Sequence, residues 1–213
     1  MIDSFIFDLD GVLVFTDKYH YAAWKEMADD LGVYFDEKIN NRLRGVSRME
    51  SLEIILERYD GPALSKEEKE ALATKKNNIY RELLKKMTPE DVSDDVRFTL
   101  RELRNRGMHL AVGSSSKNAK LILEKVGLME AFDEISDGDN ITRSKPDPEV
   151  FIKAALFLDK EPEACMVVED AFSGIEAAKA AGMKAIAIGD AKNSELADYR
   201  IDKLSDILNL IAV

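Results

Sequence analysis

Apolar residues recur along this chain with two different periods. Over 17–87 they return at helical spacing, as Tyr21, Trp24, Met27, Ala28 and Leu31 and again as Leu52, Ile55, Leu56 and Tyr59, which predicts helices and no strand. Ser65-Lys66-Glu67-Glu68 reads as a capping box that opens a third helix, expected to run to Met87. Outside that segment the pattern changes. Short apolar runs at 5–9, 109–113, 132–136, 164–168 and 184–188 alternate with amphipathic stretches near 93–106, 117–126, 148–158 and 173–181. Such alternation predicts a parallel sheet wound with helices on both faces, with ligands at the carboxyl ends of the strands. The expected fold is α/β, a doubly wound, Rossmann-like parallel-sheet core from 1–15 and 88–213, with an all-α helical insert at 16–87. The polar stretch 190–200 reads as a mobile loop.

Charged and hydroxyl residues gather where the predicted strands end. The first run closes on Asp8-Leu9-Asp10-Gly11, two carboxylates spaced by two that can converge on one site, with a glycine where the chain turns away. That pair suits a hard cation and a phosphate, though an Asp-rich turn that only caps a strand has the same pattern. The run at 109–113 leads into Ser114-Ser115-Ser116-Lys117-Asn118 at a helix start, which is either an anion site or a plain serine N-cap. Lys145 stands in Ser144-Lys145-Pro146-Asp147-Pro148, where flanking prolines restrict the backbone and aim the ammonium. The run at 164–168 closes on Glu169-Asp170. Adjacent like charges at a strand end are costly unless a cation neutralises them.

Composition narrows the classes of function. With 213 residues and 46% hydrophobic composition, the chain can bury a full core plus a small second domain. A net charge of −11 argues against a nucleic-acid partner, whose backbone calls for clustered Lys and Arg. A single cysteine, Cys165, excludes an internal disulfide and suits a reducing compartment. There is no basic leader, no h-region and no apolar run of membrane-spanning length, so a cytoplasmic monomer without membrane contact is expected.

Taken in order, Asp8/Asp10, Ser114, Lys145 and Glu169-Asp170 resemble the haloacid dehalogenase superfamily of phosphoryl-transfer enzymes. The helical insert resembles the cap of its first subfamily. That resemblance implies Asp8 as nucleophile, Asp10 as general acid/base, and Ser114 and Lys145 as holders of the transferring phosphoryl group. It also implies Mg²⁺ as cofactor, held by Asp8, the backbone carbonyl of Asp10 and Asp170, with Glu169 a ligand or a group behind one.

Further segments resemble the sugar-phosphate mutases of that subfamily: Thr16 through Lys25, Arg44-Gly45-Val46-Ser47-Arg48, Lys75-Lys76-Asn77 and Ser116-Lys117-Asn118. The resemblance implies conversion of β-D-glucose 1-phosphate to D-glucose 6-phosphate through an aspartyl-phosphate and β-glucose 1,6-bisphosphate. A sugar-phosphate phosphatase on the same scaffold is the alternative. Arg48, with Ser116, Lys117 and Asn118, would bind the phosphate that is not transferred, and Ser115 would add a substrate-binding hydroxyl near the phosphoryl site. Thr16, His20 and Lys76 would couple sugar binding to Asp10, and Trp24, Arg44, Gly45, Val46 and Ser47 would line the sugar pocket. Read from residue type alone, Trp24 is equally a cap-core residue, His20 a core-rim residue and Lys76 part of a solvated helix face. Two positions depart from the pattern: Phe15 where an acidic residue is usual, and Ser115 where a small apolar one is.

Overall fold

In the computed structural model, which describes residues 2–43 and 47–211, the first apolar run becomes the third strand of a six-stranded parallel sheet. This strand, β1 (Ser4–Phe7), lies between β2 (His109–Gly113) and β4 (Cys165–Glu169). The order is completed by β3 (Glu134–Ser136) beyond β2, and by β5 (Lys184–Ala187) and β6 (Tyr199–Arg200) beyond β4. Phe5, Ile6 and Phe7 are fully buried, as a strand covered on both faces requires. The chain winds outward from β1 in both directions, so the carboxyl end of β1 is a topological switch point, where such sheets form crevices. Phe7 pairs with Val112 on one side and Val168 on the other. Asp8, Ser114 and Glu169 therefore issue from one edge of the sheet.

Helices cover the sheet for local reasons that can be read residue by residue. In α5 (Asp94–Asn105) the Ser93 hydroxyl accepts a hydrogen bond from the Val96 N–H at 3.3 Å, and Val96, Thr99, Leu100 and Leu103 form the buried stripe. Helices α7 (Glu149–Phe157) and α8 (Phe172–Ala180) bury Val150, Phe151, Ile175 and Ala178 in one cluster with Ile6, Val167 and Ala185. Short helices α6 (Ala119–Lys125) and α9 (Ile207–Leu210) complete this unit, which comprises Met1–Phe15 and Met87–Val213.

The expectation of a mobile loop at 190–200 does not hold. Residues Gly189–Asn193 form a 3₁₀ turn and Tyr199–Arg200 form β6. Arg200 ties the segment down by donating to the carbonyls of Lys192 at 2.9 Å, Ala197 at 3.2 Å and Ser194 at 2.6 Å. A long side chain satisfying three backbone acceptors leaves no hydrophobic pattern to detect.

Thr16–Lys86 forms a second compact unit, all helical. Its helices are α1 (Asp17–Asp30), α2 (Glu37–Asn41), α3 (Arg48–Leu56) and α4 (Lys66–Leu84). The capping box at Ser65 is present, with the Glu68 N–H donating to Ser65 Oγ at 3.2 Å and the Ser65 N–H to Glu68 Oε2 at 2.7 Å. Helix α2 is too short to show a period and starts at Asp36, whose carboxylate accepts from the Ile39 N–H at 2.9 Å. Helix α4 ends before Met87, which is buried with the first unit. Trp24, Met27, Ala28, Phe35, Leu52 and Ile55 belong to the apolar core of the helical unit.

Candidate active site

At the carboxyl edge of the sheet, Asp8, Glu169 and Asp170 each bring one carboxylate oxygen within 4.8 Å of the others. Lys145 enters from the loop before α7 and donates to Asp8 Oδ1 at 2.5 Å and to Glu169 Oε1 at 2.6 Å. Burial works against the Lys145 charge, but the carboxylates of Asp8 and Glu169 outweigh it and hold the ammonium above its usual range. Asp170 is the opposite case. Burial, then the negative charges of Glu169, Asp8 and Asp10, push its carboxyl up to about 8, with Lys145 opposing only in part. The carboxylates thus outweigh the cationic charge beside them. A hard divalent cation fits this donor set, because oxygen ligands and surplus negative charge are what it takes up.

Glu169 differs from its neighbours. Its Oε1 is engaged by Lys145, and its Oε2 accepts from the Ala171 N–H at 2.8 Å. Each Glu169 oxygen thus accepts from a protein donor, one of them the Lys145 ammonium. Two glycines, inconspicuous in the sequence, make the close approach possible. A Cβ on Gly174 would lie 1.9 Å from Glu169 Oε1, and a Cβ on Gly11, where φ is +91°, would lie 2.0 Å from Asp170 Oδ2. Gly174→Ala is expected to displace Glu169 and lower turnover about 10- to 100-fold, the usual effect of disturbing a group behind a metal ligand. Steady-state kinetics checks this; unchanged turnover would show that Glu169 can move without consequence.

Ser114, nearly buried, extends the strand pattern through its N–H, which donates to Ser136 O at 3.0 Å. Its hydroxyl oxygen accepts from the Ser116 N–H at 3.2 Å, and Ser116 Oγ accepts from the Asn118 N–H at 3.1 Å. A hydroxyl that accepts from a backbone N–H keeps its proton for another acceptor, so the serines can still donate to an anion. Ser115 Oγ is buried with no hydrogen-bond partner among the described residues. Lys117 is exposed and Asn118 buried. The Lys145 loop is braced by Glu149, a residue the sequence did not single out. Its carboxylate accepts from the N–H groups of Thr142 at 2.9 Å and Arg143 at 2.8 Å. Lys153 and these two N–H groups pull it down to about 2.

The helical unit gathers another part of the expected set. Lys76, buried, lies 2.8 Å from His20 Nδ1, 4.7 Å above the Trp24 ring and 4.8 Å above the Tyr80 ring. Tyr80 donates to Thr16 Oγ1 at 3.0 Å. Trp24 is a core residue of the unit, as its residue type suggests. The Ser47 hydroxyl caps α3, accepting from the Glu50 N–H at 3.2 Å while Glu50 Oε2 takes the Ser47 N–H at 2.8 Å. Arg48 is exposed in the first turn of that helix. Arg44, Gly45 and Val46, expected to line a sugar pocket, lie outside the described residues.

Strand-end carboxylates around one lysine, beside a serine loop, are the groups that phosphoryl transfer would require. A family model of haloacid dehalogenase-like hydrolases matches residues 2–182. The chain belongs to that family. Within this family of haloacid dehalogenase-like proteins it is 40% identical to a β-phosphoglucomutase of Bacillus subtilis over 205 residues, 95% of this chain and 90% of the relative. It is 32% identical to a fructose-1-phosphate phosphatase of Escherichia coli over 185 residues, covering 85% and 93% of the two chains. The crystal structure of a β-phosphoglucomutase from Clostridium difficile matches with a TM-score of 0.86 and 37% identity, covering 97% of this chain and 93% of that one. The doubly wound parallel sheet expected from the strand–helix alternation is therefore the family fold.

Proposed function

We propose that the protein is a phosphosugar mutase that converts β-D-glucose 1-phosphate to D-glucose 6-phosphate. The single observation that carries this reading is the 40% identity to a β-phosphoglucomutase over nearly the whole of both chains, with clustered carboxylates, Lys145 and a serine loop at the strand ends to support it. Asp8 attacks the phosphorus of the donor, and the bond from phosphorus to the sugar oxygen breaks as the Asp8–phosphorus bond forms. Asp10 gives its proton to the departing sugar oxygen, then takes the proton of the hydroxyl that attacks the phosphoaspartate in the next half-reaction. The phosphoenzyme passes its phosphoryl group to the 6-hydroxyl of glucose 1-phosphate. The resulting 1,6-bisphosphate then returns its 1-phosphoryl group to Asp8 and leaves as glucose 6-phosphate.

Lys145 and Ser114 donate to the phosphoryl oxygens, offsetting charge as the group transfers. Asp8, Asp170 and the backbone carbonyl of Asp10 would hold Mg²⁺, with Glu169 behind them. Such an ion supplies positive charge that lets a carboxylate approach a phosphoryl group without repulsion. Chelation is expected to silence the enzyme and Mg²⁺ to restore it. Asp170→Ala should need far more Mg²⁺ for half-maximal turnover, and full activity in excess chelator would contradict the assignment.

Arg48, Ser116, Lys117 and Asn118 take the phosphate that is not being transferred, and Thr16, His20 and Lys76 make engagement of Asp10 depend on a bound sugar. Arg48→Ala is expected to lower isomerisation by about 10–150-fold, the worth of about 1.5–3 kcal/mol from a bidentate charged contact. Hydrolysis of a small ester with one phosphate should change little, and Arg48→Lys should recover only part of the loss. The deciding assay supplies β-glucose 1-phosphate, Mg²⁺ and trace bisphosphate, and follows glucose 6-phosphate against free phosphate. Release of phosphate without glucose 6-phosphate would instead assign a sugar-phosphate phosphatase, the activity of the Escherichia coli relative.

A further inference from the structure

Two helices of the second unit place a polar stripe on each facing side. Thr16, His20 and Trp24 are spaced by four at and along α1, and Lys76 and Tyr80 are spaced by four on α4, so each set lies on one helix face. Tyr80 touches three of the other four. Its ring stacks on the His20 imidazole with centroids 4.0 Å apart and planes 20° apart. The Lys76 ammonium sits 4.8 Å over the same ring, and the phenol donates to Thr16 Oγ1 at 3.0 Å. A lysine ammonium has donors and no acceptor. At 2.8 Å from Lys76 Nζ, His20 Nδ1 must therefore present its lone pair, which leaves the ring proton of the neutral imidazole on Nε2. Burial, then the charges of Lys76 and Arg48, hold the imidazolium well below its usual range, in keeping with a neutral ring.

We propose that Tyr80 is a positioning residue whose ring fixes the His20 imidazole as its Nε2–H tautomer and whose hydroxyl holds Thr16, the two contacts together favouring phosphoryl transfer to sugar over transfer to water. The second half of this inference rests on the mutase reading; the first half does not. The ring of Tyr80 supplies a face for the imidazole and a π-surface that holds the Lys76 ammonium. Its hydroxyl ties α4 to Thr16, where the helical unit begins. Without the ring, His20 could rotate and its proton exchange between the two nitrogens. Lys76 would then lose one of the two aromatic faces that hold its charge.

The chain has two histidines, His20 and His109, so the tautomer is directly readable. In the full chain labelled with ¹⁵N, with His109→Gln used to assign the signals, His20 is expected to show one tautomer protonated on Nε2. Tyr80→Leu should move both His20 nitrogens toward the average of the two tautomers. It should also lower the ratio of glucose 6-phosphate formed to phosphate released from β-glucose 1-phosphate. Tyr80→Phe should keep the tautomer and lower that ratio roughly two- to tenfold, the worth of one hydrogen bond. Thermal unfolding shows whether each variant folds. A wild-type proton on Nδ1, a folded Tyr80→Leu with the tautomer unchanged, or a Tyr80→Phe with the ratio unchanged would each overturn the proposal. If Tyr80→Leu does not fold, Tyr80→Phe decides by the ratio. If the wild type makes no glucose 6-phosphate, the mutase reading fails while the nitrogen spectra still test the hold of Tyr80 on His20.

Discussion

Asp8→Asn is expected to fold, yet to turn over more slowly by a factor on the order of 10⁵ or more, the scale seen when a covalent nucleophile is removed. An amide oxygen does not attack phosphorus at a useful rate. The substitution removes one charge from a crowded set and leaves Lys145 paired with Glu169 at 2.6 Å, so the fold should survive. Mass spectrometry of acid-quenched protein reads the outcome: wild type incubated with bisphosphate should carry a phosphoryl adduct on Asp8, and the variant should carry none. An adduct in the variant would place the nucleophile elsewhere and remove the basis of the mechanism.

The parts of this site legible in the sequence are those whose chemistry coincides with an end of secondary structure. Asp8, Ser114 and Glu169 each follow an apolar run, and parallel pairing of β1 with β2 and β4 brings those ends to one edge. Their convergence follows from fold class alone. What the sequence hides is what depends on a side chain's reach. Nothing in the pattern says that both Glu169 oxygens are taken by Lys145 and the Ala171 N–H, or that Gly174 is a glycine because Glu169 lies against it. Nothing in the pattern marks Glu149, yet it braces the loop that carries Lys145. Tyr80 carries no signal of its own in the helix that the Ser65 capping box opens. Polar contacts between residues 64 apart, such as Tyr80 with Thr16, leave no periodic trace.

Lys145 separates stability from catalysis more sharply than any other residue of the site. Its side chain is 9% exposed and pairs with Glu169, whose side chain is 2% exposed. Lys145→Met keeps an apolar stem and deletes the ammonium, which lies 4.6 Å over the Phe151 ring, leaving two buried carboxylates with no cation. Breaking a buried pair from one side costs about 3–5 kcal/mol. For a chain of this size that corresponds to a fall of roughly 10 °C in the unfolding midpoint of the sheet-containing unit. Turnover should also fall, by about 10²–10³-fold, as when one donor to a developing anion is lost. The double variant Lys145→Met with Glu169→Gln tests whether the two losses have one origin. Removing the orphaned charge should restore most of the unfolding temperature, since it is the uncompensated carboxylate that destabilises. It cannot restore the donor to the phosphoryl oxygens. Calorimetry and kinetics on the two variants should therefore part company, with stability recovered and turnover still low. If both recover together, Lys145 serves only to neutralise Glu169, and the phosphoryl group must be held by Ser114 and its loop without the ammonium.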